Sequence, residues 1–425
     1  MSSKQNSLAW KAQLPQMLVN ARKASGEASS WSAAFKKDLL LDIASRFDKS
    51  AKGLVAENQK DLFAAKANGL SSSMLDRLTL NEKRVRAMAE GVRVVAHLKE
   101  PIGVVLAKWK RPNGLKLQKV SVPLGVILMI YESRPNVTVE CASLCLKSSN
   151  VAILRGGHEA MRSNLAFVKI FKEALKCRGL SPFHVNLVTT TDYEAVDFLL
   201  EQEGKIDLVI PRGGEKLIRR VVQKSRIPVI KHYQGICHVY VDKKADLDKA
   251  VAITLNAKLQ RPGVCNAMET LLVHRQVAAK FLRKVGRDLQ EGGCEVRGDT
   301  MTCRYVDGAK RAKAEDYGYE FLDKILAVRV VKDLEEAVRH IETYGSHHTD
   351  AIVTEDKKAA EFFKTKVDSS SVMVNASTRF SDGFEYGFGA EIGISTDKIH
   401  ARGPMGLEGL TSYKYIVEGN GHIRA

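Results

Sequence analysis

The first hundred residues carry apolar positions at helical spacing. Leu39, Ile43 and Phe47 recur every four residues, so they lie on one face of a predicted helix. Thr79 and Glu82 match a capping box, which predicts that another helix starts there. We therefore predict that this region is a layer of helices rather than a reactive site.

Between residues 126 and 241, short apolar runs alternate with amphipathic stretches. The apolar runs predict strands at Val126–Ile130, Val151–Leu154, Val185–Val188, Ile206–Ile210, Val229–Ile230 and His238–Val241. The amphipathic stretches predict helices at Val137–Lys147, Met161–Lys176, Tyr193–Leu200 and Glu215–Lys224. Because strands and helices alternate, we predict a mostly parallel sheet covered on both faces.

The remaining sequence predicts a second α/β unit and a glycine-rich tail. A helix at Ala245–Lys258, a loop and a strand at Glu269–Val273 begin this unit, which continues to about residue 370. The basic stretch 108–119 contains a Pro-Asn-Gly turn and predicts a β-hairpin. A last strand at Leu410–Val417 is a candidate partner of that hairpin.

Composition narrows the class of protein. The 425 residues are 44% hydrophobic, which is enough for two core-forming units. No apolar run reaches the roughly 20 residues of a membrane span, and no secretory signal is apparent, so we expect a cytoplasmic protein with reduced cysteines. The net charge of +17 suits nucleic acid, an anionic membrane or small anionic ligands. The basic hairpin carries one aromatic side chain, Trp109, and not the series of interleaved aromatics of a stacking platform, which disfavours RNA binding through it.

Cys265 is the best candidate nucleophile among the seven cysteines. Pro262 and Gly263 end the preceding helix and place the thiol in an irregular loop, where backbone amides can face a reacting oxygen. A structural role remains the alternative for this residue. The cysteines within or beside predicted elements are interpreted as small buried hydrophobes, namely Cys141, Cys145, Cys177 and Cys237. No zinc-type spacing of cysteine and histidine is present, so no metal site is predicted.

Two similar glycine turns follow predicted strands. Their residues are Arg155, Gly156 and Gly157 in the first turn, and Arg212, Gly213 and Gly214 in the second. Glycine lets backbone amides approach a phosphate, and a following helix adds a potential that favours anions. Either turn alone is more often a plain turn, but two at the carboxyl ends of sheet strands favour a nucleotide site.

Seven segments together resemble a known family. They are Val122–Ile127, Ile130–Thr138, Ile153–Gly157, Val209–Gly214, Gln260–Asn266, Val374–Phe380 and His400–Gly406. In this order they resemble γ-glutamyl phosphate reductase, also called glutamate-5-semialdehyde dehydrogenase, of the aldehyde dehydrogenase superfamily. The likeness covers nearly the whole chain.

The resemblance implies an α/β, aldehyde-dehydrogenase-like fold. A Rossmann-like NADPH-binding domain is expected at residues 1–107 and 120–255, and an α/β catalytic domain at residues 256–395. A small β oligomerisation element is expected from the hairpin 108–119 and the tail 396–425. The protein is accordingly expected to form a homo-oligomer.

The resemblance also implies roles for individual residues. Cys265 is the family's nucleophile, Asn136 should donate with the Cys265 backbone amide to the thioester oxygen, and Glu320 should hold the nicotinamide ribose. NADPH should bind at the two glycine turns. The substrate's carboxylate and phosphate suit arginines, and the candidates are Arg134, Arg379 and Arg402 with Ser377 and Thr378 nearby in sequence. A surface salt bridge is the alternative role for each arginine.

The implied reaction is NADPH-dependent reduction of L-glutamyl 5-phosphate to L-glutamate 5-semialdehyde, in proline biosynthesis. Residues 231–238 hold no carboxylate where hydrolytic relatives carry a glutamate base, so activation of water is disfavoured. His158 stands where the family usually has lysine, which leaves the preference for NADPH over NADH open, and Leu128 replaces a usual glycine. The acyl phosphate is expected to come from a separate glutamate kinase.

Two other classes stay open. A related acylating aldehyde dehydrogenase with another acyl substrate shares most of these features, although the Asn-Ala-Ser-Thr-Arg loop at 375–379 argues against it. A basic RNA-binding or scaffold protein would explain the charge. It would leave Cys265 and the two glycine turns unexplained.

Overall fold

The computed structural model describes residues 3–132 and 134–424. The chain forms two compact units. Unit 1 comprises Met1–Lys231, Gly387–Gly393 and Met405–Ala425, and unit 2 comprises His232–Tyr386 and Ile394–Pro404.

Helices and strands alternate through most of the chain. The helices are α1 (Ser3–Ala28), α2 (Ala33–Lys49), α3 (Ala51–Ala67), α4 (Ser72–Leu78), α5 (Glu82–His97), α6 (Pro135–Lys147), α7 (Met161–Lys176), α8 (Tyr193–Leu200), α9 (Glu215–Lys224), α10 (Leu247–Leu259), α11 (Arg275–Glu291), α12 (Thr300–Tyr305), α13 (Leu334–Tyr344) and α14 (Lys357–Lys366). The strands are β1 (Val105–Lys110), β2 (Lys116–Pro123), β3 (Val126–Tyr131), β4 (Val151–Arg155), β5 (Val185–Leu187), β6 (Leu208–Arg212), β7 (Cys237–Val241), β8 (Met268–His274), β9 (Glu295–Gly298), β10 (Lys310–Arg311), β11 (Ile325–Val331), β12 (Thr349–Val353), β13 (Ser371–Val374), β14 (Gly393–Ser395), β15 (Gly403–Met405) and β16 (Thr411–Glu418).

The start of α5 corrects one prediction. Asn81, not Thr79, caps this helix, because its side chain accepts a hydrogen bond from the Arg84 amide at 2.8 Å. The Thr79 hydroxyl instead donates to the Leu75 carbonyl at the end of α4. An asparagine two residues further on is the cap instead, since its short side chain satisfies one of the free backbone donors at the start of the helix.

Unit 1 contains the predicted parallel sheet. Its order is β5-β4-β3-β6, and all its pairs are parallel. Strand β3 is buried along its whole length, and α1 contributes Leu14 and Leu18 to the core on the sheet. The predicted strand Val229–Ile230 is wrong as a strand, because this segment makes only an isolated bridge from Val229 to Val209.

The basic hairpin forms a separate three-stranded antiparallel sheet with the tail. Its order is β1-β2-β16, and β16 pairs with β2 in a register that places Ile416 opposite Gln118. The predicted pairing of tail and hairpin is therefore confirmed. All six residues of β1 and seven of the eight in β16 are exposed.

Unit 2 is built on a seven-stranded parallel sheet of order β10-β9-β11-β8-β7-β12-β13. Strand β7 pairs with β8 and β12, so the compact unit begins at His232 rather than at the domain boundary of residue 256 drawn from the sequence. The roles assigned to the predicted domains stay predictions. No helix within residues 3–132 and 134–424 is long and apolar enough to cross a membrane.

Candidate active site

Cys265 lies in the turn between α10 and β8 and is partly exposed. The turn is closed by a hydrogen bond of 3.0 Å from the Ala267 amide to the Val264 carbonyl. Gly235 packs directly against the backbone of this turn, since a β-carbon on it would lie 2.6 Å from the Cα of Cys265. Only glycine fits there, so the close approach of the segment that precedes β7 constrains the path of the loop.

Four other cysteines are buried, namely Cys141, Cys145, Cys237 and Cys294. Burial raises the pKa of the Cys145 thiol to about 12 and that of Cys294 to about 11. Burial likewise raises the pKa of Cys141 and Cys237 well above the ordinary value. Thiols with raised pKa values are poor nucleophiles at neutral pH. The prediction that Cys177 is buried is wrong, because this residue caps the end of α7 and is exposed.

Glu320 contacts the same glycine that packs against the cysteine loop. Its Oε1 accepts a hydrogen bond of 2.8 Å from the Gly235 amide. The carboxylate and the thiol loop are thus joined through one glycine, although Glu320 and Cys265 are far apart in sequence. The sequence pattern did not single out Gly235. The sequence feature that could have pointed to Gly235 is the segment 231–238, which lacks a carboxylate and contains this glycine.

Arg379 reaches the cysteine loop from the segment after β13. Its Nε donates to Gln260 Oε1 at 2.8 Å, and its Nη1 donates to the Asn266 side-chain oxygen. Asn266 in turn donates to the Ser381 carbonyl at 2.8 Å. Burial lowers the pKa of the Arg379 guanidinium, and the charge of Arg261 adds to this effect. A partly desolvated cation therefore contacts one residue before Cys265 and one residue after it.

The other substrate candidates of unit 2 occupy different settings. Ser377 is 4% exposed, and its hydroxyl accepts a hydrogen bond of 3.3 Å from the Arg379 amide. Thr378 is fully buried. Arg402 binds Asp368 through its carboxylate at 2.6 Å and its carbonyl at 2.7 Å. Hydrogen bonds from Lys398 and Arg402 lower the pKa of the Asp368 carboxyl to about 2, so this arginine is held in a local ion pair.

Arg134 and Asn136 lie at the start of α6 in unit 1. Arg134 occupies the position before the helix, and Pro135 is its first residue. The Asn136 amide donates to Glu140 Oε1 at 3.0 Å, one turn along the helix. The structure therefore places both at the carboxyl end of β3, where ligands of parallel sheets bind.

The first glycine turn contains a partly buried cation, Arg155. The Nε of Arg155 is buried and has no hydrogen-bond partner in the described part of the chain. Burial also lowers the pKa of this guanidinium, while Tyr193 and Glu159 oppose that shift. Gly156 packs against buried side chains, since a β-carbon there would lie 2.5 Å from Asn164 Nδ2. A desolvated guanidinium next to this turn fits an anionic group such as a dinucleotide phosphate.

The second glycine turn already holds an acid. The Gly214 amide donates to Glu132 Oε1 at 3.0 Å, and the carboxyl carbon of Glu132 would lie 2.6 Å from a β-carbon on Gly213. Gly214 is the residue that caps α9. The end of this helix that favours anions is therefore occupied by a side chain of the protein itself. Sequence reasoning missed Glu132, which follows strand β3 and precedes the second turn by 82 positions.

These features agree with comparisons to known proteins. Residues 4–317 match the model of the aldehyde dehydrogenase family. The chain therefore belongs to the aldehyde dehydrogenase family, whose members use NAD(P) cofactors. An acetylating aldehyde dehydrogenase of Geobacillus thermoglucosidasius shares this fold with a TM-score of 0.68 at 16% identity, over 98% of this chain and 99% of that one.

Within this family, the chain groups with the γ-glutamyl phosphate reductases. It is 54% identical to the γ-glutamyl phosphate reductase of Carboxydothermus hydrogenoformans over 95% of this chain and 97% of the relative. The crystal structure of γ-glutamyl phosphate reductase from Thermotoga maritima matches with a TM-score of 0.95 at 42% identity, over 97% of this chain and 100% of that one. The resemblance and the fold class predicted from the sequence are thus confirmed, and the chain is an oxidoreductase of this family.

Proposed function

We propose that this protein reduces L-glutamyl 5-phosphate to L-glutamate 5-semialdehyde, with NADPH as reductant and release of phosphate. The observation that carries the proposal is the Cys265 loop, a partly exposed thiol flanked by Arg379, in a chain 54% identical to a γ-glutamyl phosphate reductase. The reaction serves proline biosynthesis, and a separate glutamate kinase supplies the acyl phosphate.

The first step is acyl transfer to Cys265. The thiolate sulfur bonds to the acyl carbon, the bond from that carbon to the phosphate oxygen breaks, and phosphate leaves. Negative charge develops on the carbonyl oxygen during this step. The Cys265 backbone amide and, by family resemblance, the Asn136 side chain are the proposed donors to that oxygen.

The second step reduces the thioester. The dinucleotide, when bound, supplies the hydride that adds to the thioester carbon. The resulting thiohemiacetal collapses, the carbon–sulfur bond breaks, and Cys265 returns to the thiolate as the aldehyde leaves. Residues 231–238 offer no carboxylate to activate water, and the Gly235 amide in that segment is bound by Glu320. Hydrolysis of the thioester is therefore disfavoured.

Binding roles follow from the settings of the candidate residues. Arg155, Gly156 and Gly157 are proposed to hold a phosphate of NADPH, because the Arg155 guanidinium is partly desolvated and its Nε has no acceptor within residues 3–132 and 134–424. Arg212, Gly213 and Gly214 remain the second proposed phosphate turn, and Glu320 the ribose ligand. Arg379 and Arg134 are proposed to bind the anionic ends of the substrate, with Ser377, Thr378 and Arg402 shaping that region.

The exposed three-stranded sheet is proposed to be the oligomerisation element. Apolar and aromatic side chains on β1 and β16 are open to solvent, and they include Leu106, Trp109, Tyr413, Tyr415 and Val417. Both β1 and β16 are edge strands of this sheet. Exposed apolar edge strands are suited to association with another chain, so a homo-oligomer is the simplest way to cover them.

The test is an assay of NADP⁺ reduction with glutamate semialdehyde and phosphate, on wild-type protein and on Cys265→Ala. We expect the variant to lose activity by at least about 10³-fold, since the nucleophile is removed. The matched control is Cys177→Ala, which removes an exposed thiol and should leave activity unchanged. Mass spectrometry of the protein with acyl donor alone should show acylation at Cys265. Retained activity in Cys265→Ala would overturn the proposal.

A further inference from the structure

Unit 2 contains a fully buried ion pair that the proposed mechanism does not use. Lys258 and Glu269 are both 0% exposed, and Lys258 Nζ lies 2.6 Å from Glu269 Oε2. Lys258 is on the last turn of α10, and Glu269 is the second residue of β8. The two residues therefore join the elements that enter and leave the Cys265 turn.

Burial of such a pair has a large cost in desolvation. A buried ion pair often contributes no net stability compared with apolar side chains of similar volume. Burial also raises the pKa of the Glu269 carboxyl, an effect that Lys258 opposes and that the nearby Glu320 charge strengthens. Stability alone therefore does not explain why this pair is present, and its contacts suggest a second role.

The second oxygen of Glu269 holds the segment that carries Glu320. Glu269 Oε1 accepts a hydrogen bond of 3.1 Å from the Leu322 amide. Leu322 has a φ of 54°, a conformation that residues other than glycine rarely adopt. A residue in this conformation persists only where its surroundings hold it, and the carboxylate of Glu269 is one such constraint.

These contacts form a closed ring that includes the Cys265 backbone. Glu320 Oε1 binds the Gly235 amide, and Gly235 packs on the Cys265 backbone. Leu322, two residues after Glu320, is bound by Glu269, which is four residues after Cys265. The ring thus runs from Cys265 to Gly235, Glu320, Leu322 and Glu269, and Lys258 anchors it to α10.

We propose that Glu269, whose buried charge Lys258 balances, is a positioning residue that keeps the Cys265 turn and the Glu320–Leu322 segment in fixed relation. The inference rests on the proposed function, in which Cys265 takes the acyl group and Glu320 binds the dinucleotide ribose. Neither Lys258 nor Glu269 touches substrate in this scheme. Glu269 acts through the residues that do, and Lys258 allows its carboxylate to be buried.

Two paired variants separate charge from the hydrogen bond. Lys258→Met with Glu269→Gln removes both charges and keeps an acceptor for the Leu322 amide. Lys258→Met with Glu269→Leu removes the acceptor as well. Single variants would leave one buried charge unpaired and destabilise the protein, so the double variants are the cleaner comparison. Thermal unfolding of both double variants tests whether they are folded to a similar extent.

The first readout is NADPH binding, followed by fluorescence titration without substrate. We expect the Gln variant to bind within about twofold of wild type and the Leu variant to bind about tenfold more weakly, because a small misplacement of Glu320 is costly. Glu320→Ala completes a double-mutant cycle with the Leu variant. If Glu269 acts through Glu320, the losses in the cycle are not additive. Equal affinity of the Gln and Leu variants, or strictly additive losses, would overturn the inference.

The second readout needs no dinucleotide. The rate at which iodoacetamide alkylates Cys265 reports the setting of the thiol turn, and we expect it to change about threefold or more in the Leu variant only. If the Leu variant did not fold, the Gln variant alone would decide. Wild-type NADPH binding and alkylation in the Gln variant would support positioning through the hydrogen bond to the Leu322 amide, and impairment of both would overturn the inference. A wild-type protein that fails to bind NADPH contradicts the proposed cofactor, whereas the alkylation comparison still tests the positioning of Cys265.

Discussion

The two glycine turns of unit 1 share a sequence pattern and differ in their surroundings. Each has arginine followed by two glycines at the carboxyl end of a parallel strand, β4 or β6. At the first turn, the arginine is partly desolvated and its Nε has no acceptor among the described residues. At the second turn, Glu132 already accepts a hydrogen bond from the Gly214 amide. The first turn therefore offers a guanidinium donor without an acceptor, whereas the second has one of its amides bound by an acid.

The difference shows that a short motif predicts the backbone more securely than the ligand. Glycine permits the tight turn in both places, but the charge next to the turn depends on side chains from distant segments. The Arg155 guanidinium lies 5.8 Å from the Tyr193 ring. The Arg220 guanidinium lies 4.9 Å from the same ring and donates to Asp197 at 3.1 Å. The first turn is therefore the stronger candidate for a phosphate.

The largest expected effect is steric. In Gly156→Ala the new methyl group would meet Asn164 Nδ2 at 2.5 Å and the Tyr131 ring at 2.9 Å, both in buried side chains. We expect a loss of about 1–3 kcal/mol in the free energy of unfolding, as for other overpacked cores. Chemical denaturation measures this value.

Gly214→Ala is the matched control, because the nearest atom to its β-carbon, Glu132 Oε1, is 3.7 Å away. It should change stability by no more than about 0.5 kcal/mol. Gly213→Ala has contacts as close as those of Gly156, but with the ends of the Glu132 and Leu217 side chains, which can move. Equal losses for Gly156→Ala and Gly214→Ala would remove the steric distinction between the turns.

The next effect is electrostatic and concerns Arg155. Arg155→Met should weaken NADPH binding by about tenfold or more, because it removes a charge-assisted contact to a phosphate. The same variant should be at least as stable as wild type without ligand, since it removes a partly buried cation that lacks an acceptor for its Nε. Isothermal titration and thermal unfolding measure the two quantities.

NADH is the informative comparison for this variant. If only NADPH binding falls, Arg155 contacts the 2′-phosphate, and if both fall, it contacts the pyrophosphate. Unchanged affinity for both dinucleotides would show that the first turn binds no phosphate. Because His158 replaces the usual lysine of the family, this comparison also addresses the preference that the sequence left open.

Local patterns account for what the sequence predicted well. The bounds of α7, α8 and α9 agree with the predicted helices, because their amphipathic periodicity is strong and their ends carry clear signals. The predicted start of α5 was wrong because two residues that can cap a helix, Thr79 and Asn81, lie within three positions. Cys265 could be selected from its loop. Glu320 and Arg379 were selected only through the family resemblance, and Gly235 was not selected, because all three approach Cys265 only in the folded unit.

Buried and capping acids were the least predictable features. The sequence predicts Glu269 only as part of a strand. Its contacts with Lys258 and the Leu322 amide in the folded unit explain a charge at this buried position. Glu132 likewise depends on contact with a turn 82 residues away. Neither has a sequence signal at a fixed spacing, so a tertiary structure was needed to identify both.

The smallest expected effect tests the acid at the second turn. Glu132→Gln keeps an acceptor for the Gly214 amide and removes the negative charge from the start of α9. If dinucleotide phosphate must share or replace this contact, the neutral variant should bind NADPH about two- to fivefold more tightly, in line with about 0.3–1 kcal/mol for a charge at a helix end. The gain should shrink at high salt, since Glu132 is exposed and its charge is screened.

The control for general charge removal is Glu215→Gln, because Glu215 lies in the first turn of α9. Equal gains from both variants would mean that the field of the helix end, and not occupation of the Gly214 amide, separates the two turns. Weaker binding in Glu132→Gln would mean that the acid assists the dinucleotide instead of competing with it.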